Sequence, residues 1–124
     1  MRLKRNRVKT YYSKKAISKK DSEGNTYTEW GSSIEFNGEA WPAGGKVQAE
    51  IYGNRLSYIQ NMRIDGKYDV KQDEKGVLHY IFEDGLDIAE NDGMCMFVTK
   101  ESEPDYKIIS IKPYRYLRLE VEKL

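Results

Sequence analysis

DYKIISIKPYRYLRLEVEKL, residues Asp105–Leu124, reads as two pleated strands joined by a proline turn. Leu117, Leu119 and Val121 alternate strictly with Arg118, Glu120 and Glu122, the period-two pattern of a strand wetted on one face. Tyr106–Ile111 is a second β-rich run. Lys112-Pro113-Tyr114 interrupts the ladder between them, because proline fixes φ and has no N–H to donate. The chain is thus expected to end inside its own sheet, with no further domain after it.

Working upstream, Glu101–Asp105 is a turn and Met94–Thr99 reads as a strand, preceded by an acidic polar loop from Glu83 to Gly93. Tyr68–Val70 and Val77–Phe82, separated by Asp73-Glu74-Lys75-Gly76, form a hairpin. Between Asn54 and Ile64 two periods compete. Leu56, Ile59 and Met62 stand at helical spacing, whereas Leu56, Tyr58, Met62 and Ile64 would share one face of a strand. Lys46–Tyr52 places Val47 and Ile51 at i and i+4, which suits a short amphipathic helix ending at Gly53. Pro42-Ala43-Gly44-Gly45 stops the strand before it. At the front, Arg7–Tyr12 and Thr26–Trp30 flank the turn formers Asp21–Asn25 and make a long hairpin. Ile34-Glu35-Phe36 resumes the alternation, and Asn37-Gly38 then marks either a tight type I′ turn or a bulge in one longer strand to Trp41. The fold class is mainly β: a small antiparallel sheet that curls into a barrel, with a long connection and one short helix.

The 124 residues are expected to make one domain, 1–124. A third of the residues are charged, but ten Tyr, three Phe and two Trp supply the bulk that a disordered chain lacks. No apolar run approaches the roughly 20 residues that cross a bilayer, and the basic N-terminus has no apolar core of a signal peptide, so no membrane partner is expected. Charge is uneven. Nine of the 21 basic residues and none of the 20 acidic ones lie in residues 1–20, giving +9 there and −8 in the remainder. Such polarity suits nucleic-acid contact, head-to-tail contact between copies, or a solvated strand whose lysines discourage edge pairing.

Signs of chemistry are sparse. The single cysteine, Cys95, cannot form an internal disulfide or build a zinc site, and within Met94–Val98 it reads as a buried small hydrophobe. His79 lies in the strand Val77–Phe82 with no Cys or Ser motif around it and reads as structural. Asp65, Asp69, Asp73, Asp84, Asp87 and Asp92 do not follow the spacing of a calcium loop. Gly44-Gly45-Lys46 lacks the other elements of a phosphate-cradling loop and reads as a hinge. No catalytic, cofactor-binding or metal-binding residues are assigned, and the chain is read as a non-enzyme.

One ordering of features stands out. Trp30, a strand ending in Ala40-Trp41-Pro42, a Gly-Gly-Lys loop, Gln48-Ala49-Glu50, a Tyr/Arg/Leu segment, and Tyr106–Ile111 followed by Pro113 and a closing strand together resemble the head-tail joining proteins of tailed bacteriophages, also called stopper or head-completion proteins. The basic segment Arg2–Tyr11 and the turn Asp21–Gly24 leading to Thr28-Glu29-Trp30 fit the same pattern. The resemblance covers most of the chain and departs around 65–92, where a hairpin looks inserted. It favours one strand with a bulge at Asn37-Gly38, and tips Arg55–Ile64 toward strand.

The resemblance implies a structural component at the virion head-tail junction, made in the bacterial host cytoplasm. It would assemble as a ring of copies beneath the portal or adaptor, meet a tail-completion or tail-tube protein, and help retain packaged DNA in the channel. The corresponding channel connection is Trp41–Tyr52, with Pro42, Gly44, Gly45, Lys46 and Gln48 as its working residues. Arg2, Lys4, Arg5, Arg7 and Arg55 are the expected partner-binding residues. The alternative is a nucleic-acid-binding barrel resembling an OB-fold, which requires aromatic and basic residues side by side on one sheet face; Tyr11, Tyr12, Tyr114 and Tyr116 are its candidates. A hydrolase is disfavoured because no triad or carboxylate pair is recognisable.

Overall fold

A computed structural model describes residues 8–124. Six strands close into an antiparallel barrel: β1 (Val8–Lys20), β2 (Thr26–Pro42), β3 (Ile59–Ile64), β7 (Gly93–Cys95), β8 (Tyr106–Pro113) and β9 (Leu117–Lys123), in the order β1-β2-β3-β9-β8-β7. Closure gives each of these six a partner on both sides within the barrel wall. A second sheet of β4 (Tyr68–Gln72), β5 (Leu78–Phe82) and β6 (Asp87–Ile88) is inserted between β3 and β7. The fold class expected from the sequence is the one observed.

The terminal strands form as their alternation dictates. Leu117, Leu119 and Val121 point inward and are buried, paired across β3 with Ile64, Met62 and Gln60. Tyr11, Phe36, Met94, Tyr106 and Ile108 join them in the barrel's share of the core. The insert is a three-stranded meander, one strand more than the expected hairpin. Its Tyr80, Phe82, Leu86 and Ile88 join the same buried cluster, so it lays an apolar face on the end of the barrel where β3 leaves and β7 enters. The stretch read as an acidic loop thus hides the buried residues Leu86, Ile88 and Ala89 among its carboxylates.

Four expectations about local structure need correction. Asn37-Gly38 lies within one continuous strand, as favoured, but pairs with Lys9 and Thr10 without a bulge; the irregularity falls between Lys14 and Ala16. Gly38 is there for space, since a Cβ would stand 2.9 Å from the Arg63 carbonyl oxygen on β3. The contested stretch 54–64 contains two elements, a 3₁₀ turn over Gly53–Tyr58 and then β3, which explains why neither period ran through it. The strand expected over Met94–Thr99 ends at Cys95, because the Asp105 carboxylate accepts hydrogen bonds from the Met96 and Phe97 amides at 2.8 and 3.1 Å and draws the chain out of the ladder. The first strand extends past Tyr12 to Lys20. From Ala16 onward it pairs with Thr26–Trp30 as a two-stranded arm, closed by Asp21, whose carboxylate caps the Glu23 and Asn25 amides.

Candidate functional site

The outer face of β2-β3-β9-β8 gathers most of the residues of interest. Because Met62 and Leu119 point inward, their neighbours Asn61, Arg63, Arg118 and Glu120 point outward. The ladder sets them in two rows: Glu39, Arg63, Arg118 and Lys112, then Trp41, Asn61, Glu120 and Ser110. The connection from β2 to β3 lies over the second row. It comprises Ala43–Gly45, α1 (Lys46–Tyr52) and the 3₁₀ turn.

This connection is held by polar bonds. Gln48 and Asn61 exchange amide hydrogen bonds at 2.7 and 3.3 Å, and the Gln48 Nε2 also donates to Glu120 Oε2 at 3.0 Å. The Gly44 amide closes onto Gln48 Oε1 at 3.0 Å. Arg55 grips Glu122 through two bonds of 2.7 Å and stands over the Tyr52 ring at 5.7 Å. Ile59 is buried beneath, but α1 buries none of its own residues. Its apolar stripe faces solvent, with Val47 70% and Ile51 62% exposed. This inverts the usual packing of an amphipathic helix.

Glu120 is the hub. It is 4% exposed and bonds Gln48, Lys112 at 3.2 Å and the Tyr52 hydroxyl. Desolvation raises its pKa, but the bonds from Gln48, Tyr52 and Lys112 outweigh that and hold it below its ordinary 4.5. The Tyr52 hydroxyl is pushed up to about 12 by burial and by the neighbouring Glu120 carboxylate. The alternation of residues 117–122 had suggested a face fully wetted; instead the connection shields half of it. Asn61, Tyr52, Glu120 and Glu122 were accordingly missed, since nothing in a charged alternating strand tells which carboxylate a distant loop will cover.

The structure places the expected connection residues together. Pro42 ends β2 opposite Gln60, Gly45 takes φ 87° just before α1, and Lys46 opens the helix exposed to solvent. Gln48 is tied to the barrel wall, and Arg55 is engaged by Glu122. Arg2, Lys4, Arg5 and Arg7 lie outside the described residues. Of the four tyrosines considered for nucleic-acid contact, Tyr11 is buried against Phe36 and Tyr12 is half-buried, while Tyr114 and Tyr116 are exposed at the β8–β9 turn.

A second cluster joins the insert to the barrel. His79, which the sequence left without a partner, sits between two carboxylates: Nε2 meets Asp73 at 2.9 Å and Nδ1 meets Asp87 at 2.8 Å. Lys15 of β1 bridges Asp87 at 3.1 Å and Asp92 at 2.6 Å, and Lys71 is the cross-strand neighbour of His79. Asp73 and then Asp87 raise the His79 pKa above its ordinary 6.5. A raised histidine stabilises the fold fully below pH 6.5, and that contribution is lost as pH climbs through the higher folded value. Thermal stability is therefore expected to fall on passing upward through that window, and the step should vanish in His79→Ala; an identical slope in both proteins would remove the histidine as its source. The two carboxylates lie on opposite ring nitrogens, and no set of three His, Cys, Asp or Glu suited to a metal occurs among the described residues. Cys95 is buried, as its apolar neighbours suggested, and burial pushes its thiol pKa up.

The fold and this site define a small closed β-barrel whose connection from β2 to β3 is stapled to its outer wall by exchangeable polar bonds. No protein-family model matches the chain, and no curated protein or solved structure matches it.

Proposed function

We propose that this chain is a non-enzymatic structural component of a phage or prophage virion, a head-tail joining protein that assembles as a ring at the portal or adaptor and helps close the DNA channel. The observation that carries this reading is the connection 43–58. Its fastening is polar apart from the cover it gives Ile59, and its apolar residues Val47 and Ile51 face outward, so release uncovers that one buried side chain while the stripe becomes free to bury elsewhere. Hydrogen bonds exchange readily with water or with a partner, contributing about 1 kcal/mol net between neutral groups and about 1.5–3 kcal/mol to a carboxylate. Buried leucines would resist such release. The order of Trp41-Pro42, the glycine hinge, Gln48 and the terminal hairpin supports the same reading.

In this function the connection is the element that changes between free subunit and ring, with Gly44 and Gly45 as its hinge and Lys46 entering the channel. The basic residues Arg2, Lys4, Arg5 and Arg7 dock the subunit on the connector, and a tail-completion or tail-tube protein takes the opposite face. Co-sedimentation with portal or portal–adaptor rings tests it. The chain is expected to bind at low salt, and a variant with Arg2, Lys4, Arg5 and Arg7 changed to Ser should keep its unfolding midpoint within about 0.5 kcal/mol while losing the docking. A chain that binds no connector at low salt would sink the assignment.

A further inference from the structure

The row Glu39, Arg63, Arg118 and Lys112 is unusual for a sheet. Arg63 stands directly opposite Arg118, and Arg118 directly opposite Lys112, so like charges face each other across two successive ladders. Such pairs destabilise a sheet unless something offsets them. Glu39 meets Arg63 at 3.3 Å, and Glu120 meets Lys112 at 3.2 Å. Arg118, in the middle, has no carboxylate partner among the described residues, and neither does Arg115 on the adjoining turn. Each rests instead on an aromatic ring: Arg118 over Trp41 at 5.2 Å, Arg115 over Tyr116 at 5.9 Å, with Arg63 over the same Tyr116 at 5.2 Å.

A guanidinium lying on a ring keeps its N–H edges free, in the fork geometry that fits a phosphate. The rings also hold the cations in place, so little side-chain freedom remains to be lost when an anion arrives. Beside them Tyr114 and Tyr116 are 59% and 41% exposed at the tip of the β8–β9 turn. The Tyr68 hydroxyl bonds the Tyr114 carbonyl oxygen, which fixes the turn without using the Tyr114 ring. Preorganised cations next to exposed rings are the two elements of a face that tracks a nucleic-acid backbone and stacks its bases.

We infer that the outer row of β2-β3-β9-β8 with the β8–β9 turn is a contact surface for a single nucleic-acid strand. Arg115, Arg118 and Lys112 take phosphates, and Tyr114 and Tyr116 take bases. Stacking needs unpaired bases, so an unpaired strand is preferred to duplex. The inference stands on this face alone and does not depend on connector docking: a joining component could use it where a DNA end enters the channel, and a barrel with no role in a virion could use it equally.

Fluorescence anisotropy of the full chain with a labelled thymidylate strand of about 12 nucleotides tests it. Binding is expected to weaken steeply between about 50 and 200 mM salt. Arg115→Ser with Arg118→Ser should reduce the slope of log affinity against log salt by about 1.4, the value for two lost phosphate contacts on a single strand. Tyr114→Ala with Tyr116→Ala should weaken binding roughly tenfold or more while leaving that slope in place. Tyr114→Ala alone provides the same test should the double variant unfold. Both effects should persist when Arg2, Lys4, Arg5 and Arg7 are changed to Ser, which separates this face from the basic terminus. Inorganic polyphosphate should bind Tyr114→Ala as well as it binds the parent, since the arginines rest on Trp41 and Tyr116 and not on the Tyr114 ring. The inference is overturned by tyrosine variants that bind the strand normally, by an unchanged salt slope in the arginine variant, or by a duplex of the same length that binds as tightly as the strand.

Discussion

Leu119→Ala should cost about 2–5 kcal/mol, a large share of the roughly 5–15 kcal/mol that holds a domain of this size together. Leu119 is 1% exposed and stands between Met62 on β3 and Ile111 on β8, within the buried cluster that also receives the insert. Removing its isobutyl group loses the transfer free energy and leaves a cavity that a closed barrel is poorly able to collapse, because each strand is hydrogen-bonded on both sides. Urea denaturation should show a lower midpoint with an unchanged slope, since the surface exposed on unfolding barely alters. Arg118→Ser, one residue earlier on the outward face, should move the midpoint by about 0.5 kcal/mol or less. Equal losses at the two positions would mean that the alternation of residues 117–122 does not set which side faces the core.

That alternation was the most legible part of the chain. Strict period two over Leu117–Val121, a proline between two β-rich runs and the Asp-x-x-Gly turns at Asp21 and Asp73 are local signals. Each acts within a few residues, through the pleat, through φ or through a carboxylate that caps its own turn. The helix at Lys46–Tyr52 was legible for the same reason, with its period written in seven residues and its stop in the Gly53 that follows. Its orientation was not. Val47 and Ile51 implied an inward apolar stripe, yet polar bonds from Gln48 and Arg55 to Glu120 and Glu122, some seventy residues away in sequence, turn that stripe to solvent.

The other misses share that cause. Gly38 resembled a bulge because glycine after asparagine usually marks a change of backbone direction; here the glycine admits the carbonyl of Arg63 on a neighbouring strand. Met94–Thr99 had the composition of a strand throughout, but Asp105 competes for the amides of Met96 and Phe97. His79 seemed partnerless because Asp73 and Asp87 reach it from the turn before its strand and from the strand after it. The arginine-aromatic row is hidden most completely. Trp41, Arg63 and Arg118 come from three strands, and only the pairing of β3 with β2 on one side and β9 on the other sets them side by side.

Gln48→Ala should leave the barrel folded and release the connection. The side chain makes a reciprocal amide pair with Asn61, bonds the Glu120 carboxylate and accepts from the Gly44 amide, so one residue fastens the start of α1 to both β3 and β9. A hydrogen bond to a charged group contributes about 1.5–3 kcal/mol, and amide exchange over residues 46–58 should therefore accelerate about 10- to 100-fold while β3 and β9 keep their protection. Acid should act in the same direction. Glu120 is held below its ordinary 4.5, so its contribution is present above that value and is lost as pH falls through the lower folded one. Protection over 46–58 in the parent protein, taken against the intrinsic exchange rate at each pH, should then fall in acid toward that of the variant, which already lacks the Gln48 bond. Glu122 is also held low, by Arg55, and Arg55→Ser separates its share from that of Glu120. Under the proposed joining role, the same Gln48→Ala change should favour docking on a connector ring, because that proposal assigns the released form to the assembled state. Unaltered exchange in Gln48→Ala would show that the connection is fastened elsewhere, and a general loss of protection across the barrel would show that it is part of the core and cannot move alone.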